Sequence, residues 1–240
     1  MKVIAVIPAR YGSTRFPGKP LVMLKGKPLL QWVVEGARTS QLIQKIFVAT
    51  DDARIQELCK KINVDCLMTR PDCPTGTDRL FEATQTLNFD VVLNIQGDEP
   101  LINQEHIDPL VQAFLQEPKL DMATLAHPLL ADDVNNLNAV KVITNVKNEA
   151  IYFSRFAIPY SREGFSLHGP ALKHIGLYAY SKAFLREFCS SPQAAIEKFE
   201  SLEQLRALYL GAKIKVLRVK KPTYGVDTPE DLQKLEASLK

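Results

Sequence analysis

Cysteine is scarce in this chain, and its placement excludes more than its number. Cys59, Cys66, Cys73 and Cys189 are the four thiols in 240 residues. No two of them form a CxxC pair, and no two histidines stand at metal-ligand spacing. A zinc centre is therefore not expected. In a chain of this length the thiols are expected to be free, in a reducing compartment, rather than bridged between Cys66 and Cys73. Long apolar runs are also missing: none approaches the roughly 20 residues that a membrane-spanning helix needs. The first residues, Met1-Lys2 followed by a strand-like run, lack signal-peptide architecture. The expectation is a cytoplasmic protein with no membrane partner. An excess of one charge is absent too, with 30 basic and 27 acidic residues and a net charge of +3. Nucleic-acid binders concentrate basic residues in a stripe, so no nucleic-acid partner is expected. Internal repeats and low-complexity segments are lacking as well.

What is present has an ordinary globular balance, 46% hydrophobic and 24% charged. That length buries a substantial core in one α/β domain with an appendage. Within Lys2–Pro8 the run VIAVIP is continuously apolar and ends in proline, as a strand buried on both faces does. Further strands are predicted over Ile46–Ala49, Val64–Met68, Asp90–Gln96 and Met122–Ala126. Helices are predicted between them: Pro28–Arg38, a segment capped by Asp52 and ending near Ile62, Thr75–Leu87 and Gln104–Gln116. This alternation implies crossover units and a mainly parallel sheet. From about Pro128 to Tyr180 the pattern changes. Strand-like runs at Val140–Asn145, Ala150–Phe153 and His174–Tyr180 follow one another with little helix, which predicts an antiparallel insertion. Helices near Lys182–Cys189 and Leu202–Leu210, a strand at Lys213–Val219 and a final helix from Thr228 complete the reading.

The chemistry concentrates in the loop after the first strand. Pro8 to Pro20 reads PARYGSTRFPGKP. Gly12 and Gly18 allow close backbone approach to anionic oxygens. Arg10, Arg15 and Lys19 supply positive charge, and Ser13 and Thr14 supply hydroxyl and amide donors. In parallel sheets, the loop at the carboxyl end of a strand is where ligands bind. This is not a Walker A loop, because Pro20 stands where Ser or Thr must follow the lysine, and it is not GxGxxG. As a surface loop it could be merely solvated; three cations within ten residues repel one another unless an anion joins them.

Nine segments in order carry a resemblance that spans nearly the whole chain. They are IPARYGSTRFPGKPL (7–21), VATDD (48–52), TGTDRL (75–80), NIQGDEPLI (94–102), AVKV (139–142), YFSRFAIPY (152–160), KHIGLYAY (173–180), LEQLRAL (202–208) and GVDTPEDL (225–232). With them the chain resembles the cytidylyltransferases that activate acidic sugars with CTP, and among these the 3-deoxy-manno-octulosonate (Kdo) group of lipopolysaccharide-producing bacteria. The resemblance implies a Rossmann-like nucleotidyltransferase domain over 1–240, with an insertion or dimerisation subdomain at about 128–180. It implies CTP and an acidic eight-carbon sugar as substrates, Mg²⁺ as cofactor, and a homodimer.

The resemblance also places the site. Asp98, which leaves a strand through a glycine turn, and Asp227 would hold the Mg²⁺. By its own context Asp227 reads as a helix cap before Thr228-Pro229-Glu230; the resemblance reverses that preference. Two carboxylates completed by phosphate oxygens are what Mg²⁺ requires. Glu99 reads as a structural neighbour that points away from Asp98. Arg10 and Lys19, with Asp98, would carry catalysis. Ala9, Arg10, Ser13, Arg15, Lys19, Arg70, Thr75, Gly76 and Arg79 would bind the nucleotide. Gln96, Arg155, Arg162, His174, Tyr178, Glu203 and Gln204 would bind the sugar. Taken singly, Arg155 and Arg162 suit surface charges, His174 a structural hydrogen bond, Tyr178 a core position, and Glu203 and Gln204 a solvated helix face; Arg155 also suits a role in folding or phosphate binding. Residues 165–173 are short where some relatives have a longer excursion, which admits an amino-sugar acceptor. Rival readings are a CMP-sialic acid synthetase, a sugar-1-phosphate nucleotidyltransferase and a non-catalytic nucleotide sensor. The Lys19-Pro20 pair and the LEQLR and HIGLYAY segments stand against the first, and Lys19, Asp98 and Asp227 against the last.

Overall fold

The structure is a computed structural model that describes residues 1–12, 16–162 and 169–239. The chain divides into two compact units, Met1–Val111 with Thr223–Lys240, and Gln112–Pro222.

The first unit is built on a parallel sheet. Strand β1 (Val3–Pro8) has its first five residues at most 2% exposed, which is why its sequence alternates no polar residue. A small hairpin of β2 (Met23–Leu24) and β3 (Lys27–Pro28) leads into helix α1 (Leu29–Ala37). Strand β4 (Lys45–Thr50), helix α2 (Ala53–Lys61), strand β5 (Asp65–Met68), helix α3 (Gly76–Thr84) and strand β6 (Val91–Asn94) follow. The strands are ordered β6-β1-β4-β5, all parallel, with Val6 opposite Phe47 on one side and Asn94 on the other. Pro8, Thr50, Met68 and Asn94 therefore end on the same edge, the edge that binds ligands in such sheets. The starts of α2 and α3 are capped, the first as the sequence implies. Asp52 accepts from the Arg54 amide, and Thr75 from the Asp78 amide. Helix α4 (Gln104–Gln116) matches its predicted span, and the division between the units falls within it. After the second unit the chain returns as helix α8 (Pro229–Ser238).

The second unit carries the antiparallel strands. Strand β7 (Met122–Pro128) pairs antiparallel with β10 (Leu172–Ser181) and parallel with β11 (Ile214–Arg218). Strands β8 (Lys141–Thr144) and β9 (Ala150–Ser154) form an antiparallel pair, and β8 also pairs with β10. Helices α5 (Lys182–Ser190), α6 (Ala195–Glu200) and α7 (Gln204–Tyr209) lie between β10 and β11. The fold is thus mixed α/β, with a parallel sheet and antiparallel additions, as expected. Helix α6 was not anticipated, and the helix expected from Leu202 begins at Gln204 instead. The cause is Ser201, a left-handed residue (φ 52°, ψ 48°) that ends α6 and reorients the chain. Glu197 and Arg206 form a buried pair that draws α6 and α7 together.

Candidate active site

Two loops and one helix start bring the main charges of the first unit together. Gly18 holds a left-handed conformation (φ 70°), and a Cβ there would stand 3.0 Å from the Tyr11 ring. The turn it makes opens the short 3₁₀ segment Lys19–Leu21 and aims Lys19 back at the sheet edge. Gly97 lets the chain leaving β6 cross the Pro8 carbonyl, which a Cβ would meet at 2.9 Å. The Val226 amide donates to the Asp98 carbonyl at 2.9 Å and ties the third segment in. As a result Lys19 Nζ donates to Asp98 Oδ2 at 2.6 Å and to Asp227 Oδ1 at 3.2 Å, across 79 and 208 residues of chain.

Asp227 is not the helix cap. Thr228 accepts from the Asp231 amide, and the Asp231 carboxylate accepts from the amides of Asp227 and Thr228. The cap is complete without Asp227, whose carboxylate turns to Lys19. Glu99 behaves otherwise than its neighbours. Burial, then the negative charges of Asp98 and Asp227, push its carboxyl up to about 8 against the opposing effects of Thr223 and Lys19. Its Oε2 is closed off from water with no hydrogen-bond partner. It is a carboxyl largely protonated at neutral pH beside two that pair with a cation.

Of the remaining nucleotide candidates of this unit, Ala9, Arg10, Arg70, Thr75, Gly76 and Arg79 are among the described residues. The Ala9 amide continues the β1 pairing by donating to the Ala49 carbonyl at 2.9 Å. Arg10 is exposed. Thr75 and Gly76 form the start of α3, packed against Pro8. Arg79 is buried and donates to the Thr69 hydroxyl and, at 3.4 Å, to the Arg70 carbonyl; it also faces Asp51 at 3.4 Å. Its place is beneath the 69–70 loop, bracing it. Arg70 is exposed and bonded to Glu82 through its amide (2.7 Å) and Nε (3.0 Å). Ser13 and Arg15 lie outside the described residues. Gln96 donates to Asn94 Oδ1 at 3.5 Å.

In the second unit a different chemistry assembles. The register of β10 against β7 shifts between Ile175 and Tyr178, so two residues of β10 are passed over. His174 and Tyr178 thereby come to 5.5 Å between ring centroids, across the side-chain-free Gly176, and Phe153 meets His174 edge-on at 5.0 Å. His174 Nε2 lies 2.9 Å from Thr124 Oγ1, which also faces the carbonyls of Ile175 and Leu177 at 3.2 and 2.9 Å. Thr124 has one proton and two carbonyls to give it to. The arrangement assigns the ring proton to Nε2 and leaves Nδ1 as an acceptor. Burial lowers His174 to about 3, so it is neutral at working pH. Burial, then the charge of Glu203, holds the Tyr178 phenol above its usual range. Gln204 is buried, and among the described residues its Nε2 has no hydrogen-bond partner. His174, Tyr178 and Glu203 thus stand together as an acceptor, a donor and a charged acceptor, the mixture that a polyhydroxyl ligand needs, with Gln204 beside Glu203 in the chain. Arg162 is exposed, and among the described residues no ion pair reaches it. Arg155 is committed to backbone carbonyls.

A cytidylyltransferase family model matches residues 4–214. Over the whole chain, 58% of residues are identical to the 3-deoxy-manno-octulosonate cytidylyltransferase of Bdellovibrio bacteriovorus, covering 98% of that protein. The enzyme of the same name from Thermodesulfovibrio yellowstonii is 46% identical, again over 100% of this chain and 98% of the relative. The chain belongs to the 3-deoxy-manno-octulosonate cytidylyltransferase family. Its fold matches the solved CMP:2-keto-3-deoxy-manno-octonic acid synthetase complexed with CTP, with a TM-score of 0.95 and 40% identity over 100% of this chain and 98% of that one.

Within this family member the buried imidazole makes a stability prediction. A histidine whose folded pKa lies near 3 resists protonation in the folded state, while in the unfolded chain it takes a proton near 6.5. Its contribution is fully present above pH 6.5 and is lost as pH falls from there toward 3. Between those limits the slope approaches about 1.4 kcal/mol per pH unit. Urea unfolding at pH 7 and pH 4.5 should show a smaller loss for His174→Gln than for the parent chain; equal losses would overturn the assignment.

Proposed function

We propose that this chain transfers the cytidylyl group of CTP to the 2-hydroxyl of Kdo, releasing pyrophosphate and forming CMP-Kdo for lipopolysaccharide synthesis. The observation that carries the reading is Lys19 held between Asp98 and Asp227 at the ligand-binding edge of the parallel sheet. Full-length relatedness to enzymes named for this reaction supports it.

The donor set fits Mg²⁺. Among the described residues no cluster of three metal-ligating side chains occurs. Two carboxylates already converging on one cation are nevertheless what Mg²⁺ takes when a triphosphate supplies the remaining oxygens. Asp98 and Asp227 would hold it. When bound, the ion neutralises charge on phosphate oxygens and lowers the pKa of a nearby hydroxyl. Lys19, drawn from the carboxylates toward the β- and γ-phosphates, offsets the charge that builds on departing pyrophosphate, and Arg10 from the preceding loop adds to it. The new bond joins the sugar's O2 to the α-phosphorus; the bond from that phosphorus to the bridging oxygen breaks, and the hydroxyl proton is released. Catalysis then consists of positioning and fixed electrostatics. Glu99, neutral beside the pair, avoids a third negative charge there. His174 Nδ1, Tyr178, Glu203 and Gln204 would bind the sugar's hydroxyls, and Arg162 its carboxylate.

A homodimer through the 128–180 region forms part of the proposal. Phe156 and Tyr160 there are 72% and 88% exposed, large apolar side chains that a partner subunit would cover. Sedimentation of the chain at two mass units would support this, and a monomer at micromolar concentration would exclude it. Among the described residues no helix is long and apolar enough to cross a membrane.

Pyrophosphate release from CTP with Mg²⁺ tests the reaction. The acceptors are Kdo, its 8-amino analogue, N-acetylneuraminate and a hexose 1-phosphate. Release with Kdo or its analogue alone is expected. Release only with another acceptor would overturn the assigned sugar while leaving the metal pair intact.

A further inference from the structure

Arg155 belongs to the YFSRFAIPY segment and sits at the end of β9, where a free guanidinium could meet a substrate carboxylate. Its surroundings give it another task. Nε donates to the Glu200 carbonyl at 2.8 Å, one terminal nitrogen to the Leu137 carbonyl at 3.0 Å, and the other to the Ser201 carbonyl at 3.2 Å. All three nitrogens are therefore engaged. A bidentate grip on a carboxylate needs two adjacent N–H groups of the fork pointing at the ligand.

The carbonyls it holds are informative. Those of Glu200 and Ser201 are at the end of α6, where helix carbonyls have no intrahelical partner and a cation is favoured. The contact is reciprocal. The Glu200 carboxylate accepts from the Ser154 hydroxyl at 2.7 Å and from the Arg155 amide at 2.9 Å. Beneath them the fully buried Lys141 donates to the carbonyls of Asn136 (3.0 Å), Ala139 (2.8 Å) and Arg155. Two cations and one carboxylate thus lock three backbone segments, 136–139, the end of β9 and the end of α6. The locked turn contains Ser201, held left-handed without the freedom glycine has there. Two residues later come Glu203 and Gln204.

We propose that Arg155 is a positioning residue of the acceptor pocket: it clamps the α6–α7 turn so that Glu203 and Gln204 are correctly presented, and it does not contact the acceptor. This rests on the reading that Glu203 and Gln204 bind the acceptor.

The test compares Arg155→Ala, Glu200→Ala, Ser201→Gly and the double variant Arg155→Ala/Ser201→Gly. Initial rates are measured against the acid sugar and against CTP, and amide hydrogen exchange is followed over 201–206 without substrates. Misplacing a binding group by about 1 Å costs on the order of 10²-fold, so kcat/KM for the acid sugar should fall by roughly that factor in Arg155→Ala. The KM for CTP should stay within about twofold of the parent, since no nucleotide group is displaced. Glu200→Ala should produce the same pattern, although it leaves the guanidinium in place. The double variant should recover a substantial part of the loss, because glycine adopts the left-handed turn unaided. Exchange over 201–206 should accelerate in both alanine variants. Normal kinetics in Glu200→Ala, with an unrescued defect in Arg155→Ala, would overturn the proposal in favour of direct contact; unchanged exchange would also overturn it. Gln204→Ala separates the two readings. If that variant keeps its sugar KM, the pocket assignment fails while the exchange data still decide the clamp. If Arg155→Ala does not accumulate as folded protein, Glu200→Ala and its exchange pattern decide alone.

Discussion

Lys19→Ala is expected to lower kcat by about 10²–10³, the usual cost of removing one preorganised charge from a transition state. The physical reason lies in what Lys19 does before substrate arrives. Its ammonium is mostly sheltered and bonded to Asp98 and Asp227, so it is already desolvated and already aimed. An anionic substrate group bound at Lys19 would replace one arrangement of opposite charges with another, with little reorganisation of the side chain. The variant also leaves two carboxylates facing one another without a counter-charge. Its melting temperature should therefore drop in chelator and recover in millimolar Mg²⁺ more than the parent's does. Turnover within about threefold of the parent would remove Lys19 from the catalytic assignment. A melting temperature indifferent to Mg²⁺ would count against the carboxylate pair as the metal site.

Asp98→Asn should be at least as damaging, with a loss of about 10² or more in kcat and a raised Mg²⁺ requirement. The amide keeps the shape of the carboxylate but not its charge. Asp98 makes the shorter contact to Lys19, 2.6 Å against 3.2 Å for Asp227, and is the less exposed of the two, 28% against 49%. The more sheltered charge is screened less by water. Asp227→Asn is accordingly expected to lose less than Asp98→Asn. Rates at saturating CTP and acceptor, titrated with Mg²⁺, check the order. A reversed order, with Asp98→Asn near normal, would show that Asp227 is the dominant ligand.

Much of this site was legible along the chain because its parts are local. The apolar run of β1 marks a doubly buried strand, and glycine and proline around Lys19 mark a loop that must turn sharply. Asp98 follows a glycine at a strand end, where a side chain can enter the cleft. Asp227 shows where local reading stops. Beside Thr228 and Pro229 it has every feature of a cap, and only the contact with Lys19, 208 residues away, shows that Thr228 and Asp231 do that work instead. Glu99 shows the same limit. Its environment is set by Asp98, Asp227, Lys19 and Thr223, of which only the first is its neighbour in sequence.

The acceptor side divides in the same way. His174, Tyr178, Glu203 and Gln204 lie within recognisable motifs, but the proximity of His174 to Tyr178 depends on a register shift against β7 that no periodicity announces. Arg155 is a cation in the sequence whether it grips a ligand or a backbone. Composition and order of apolar and turn residues determined the α/β class, the strands and the glycine- and cation-rich loop after the first of them, since those follow from each segment's own burial and dihedral preferences. Which carboxylates share a cation, which histidine nitrogen keeps its lone pair and which arginine is spent on carbonyls were decided only by tertiary structure, because Coulomb and hydrogen-bond energies depend on distances through space that the chain order does not encode.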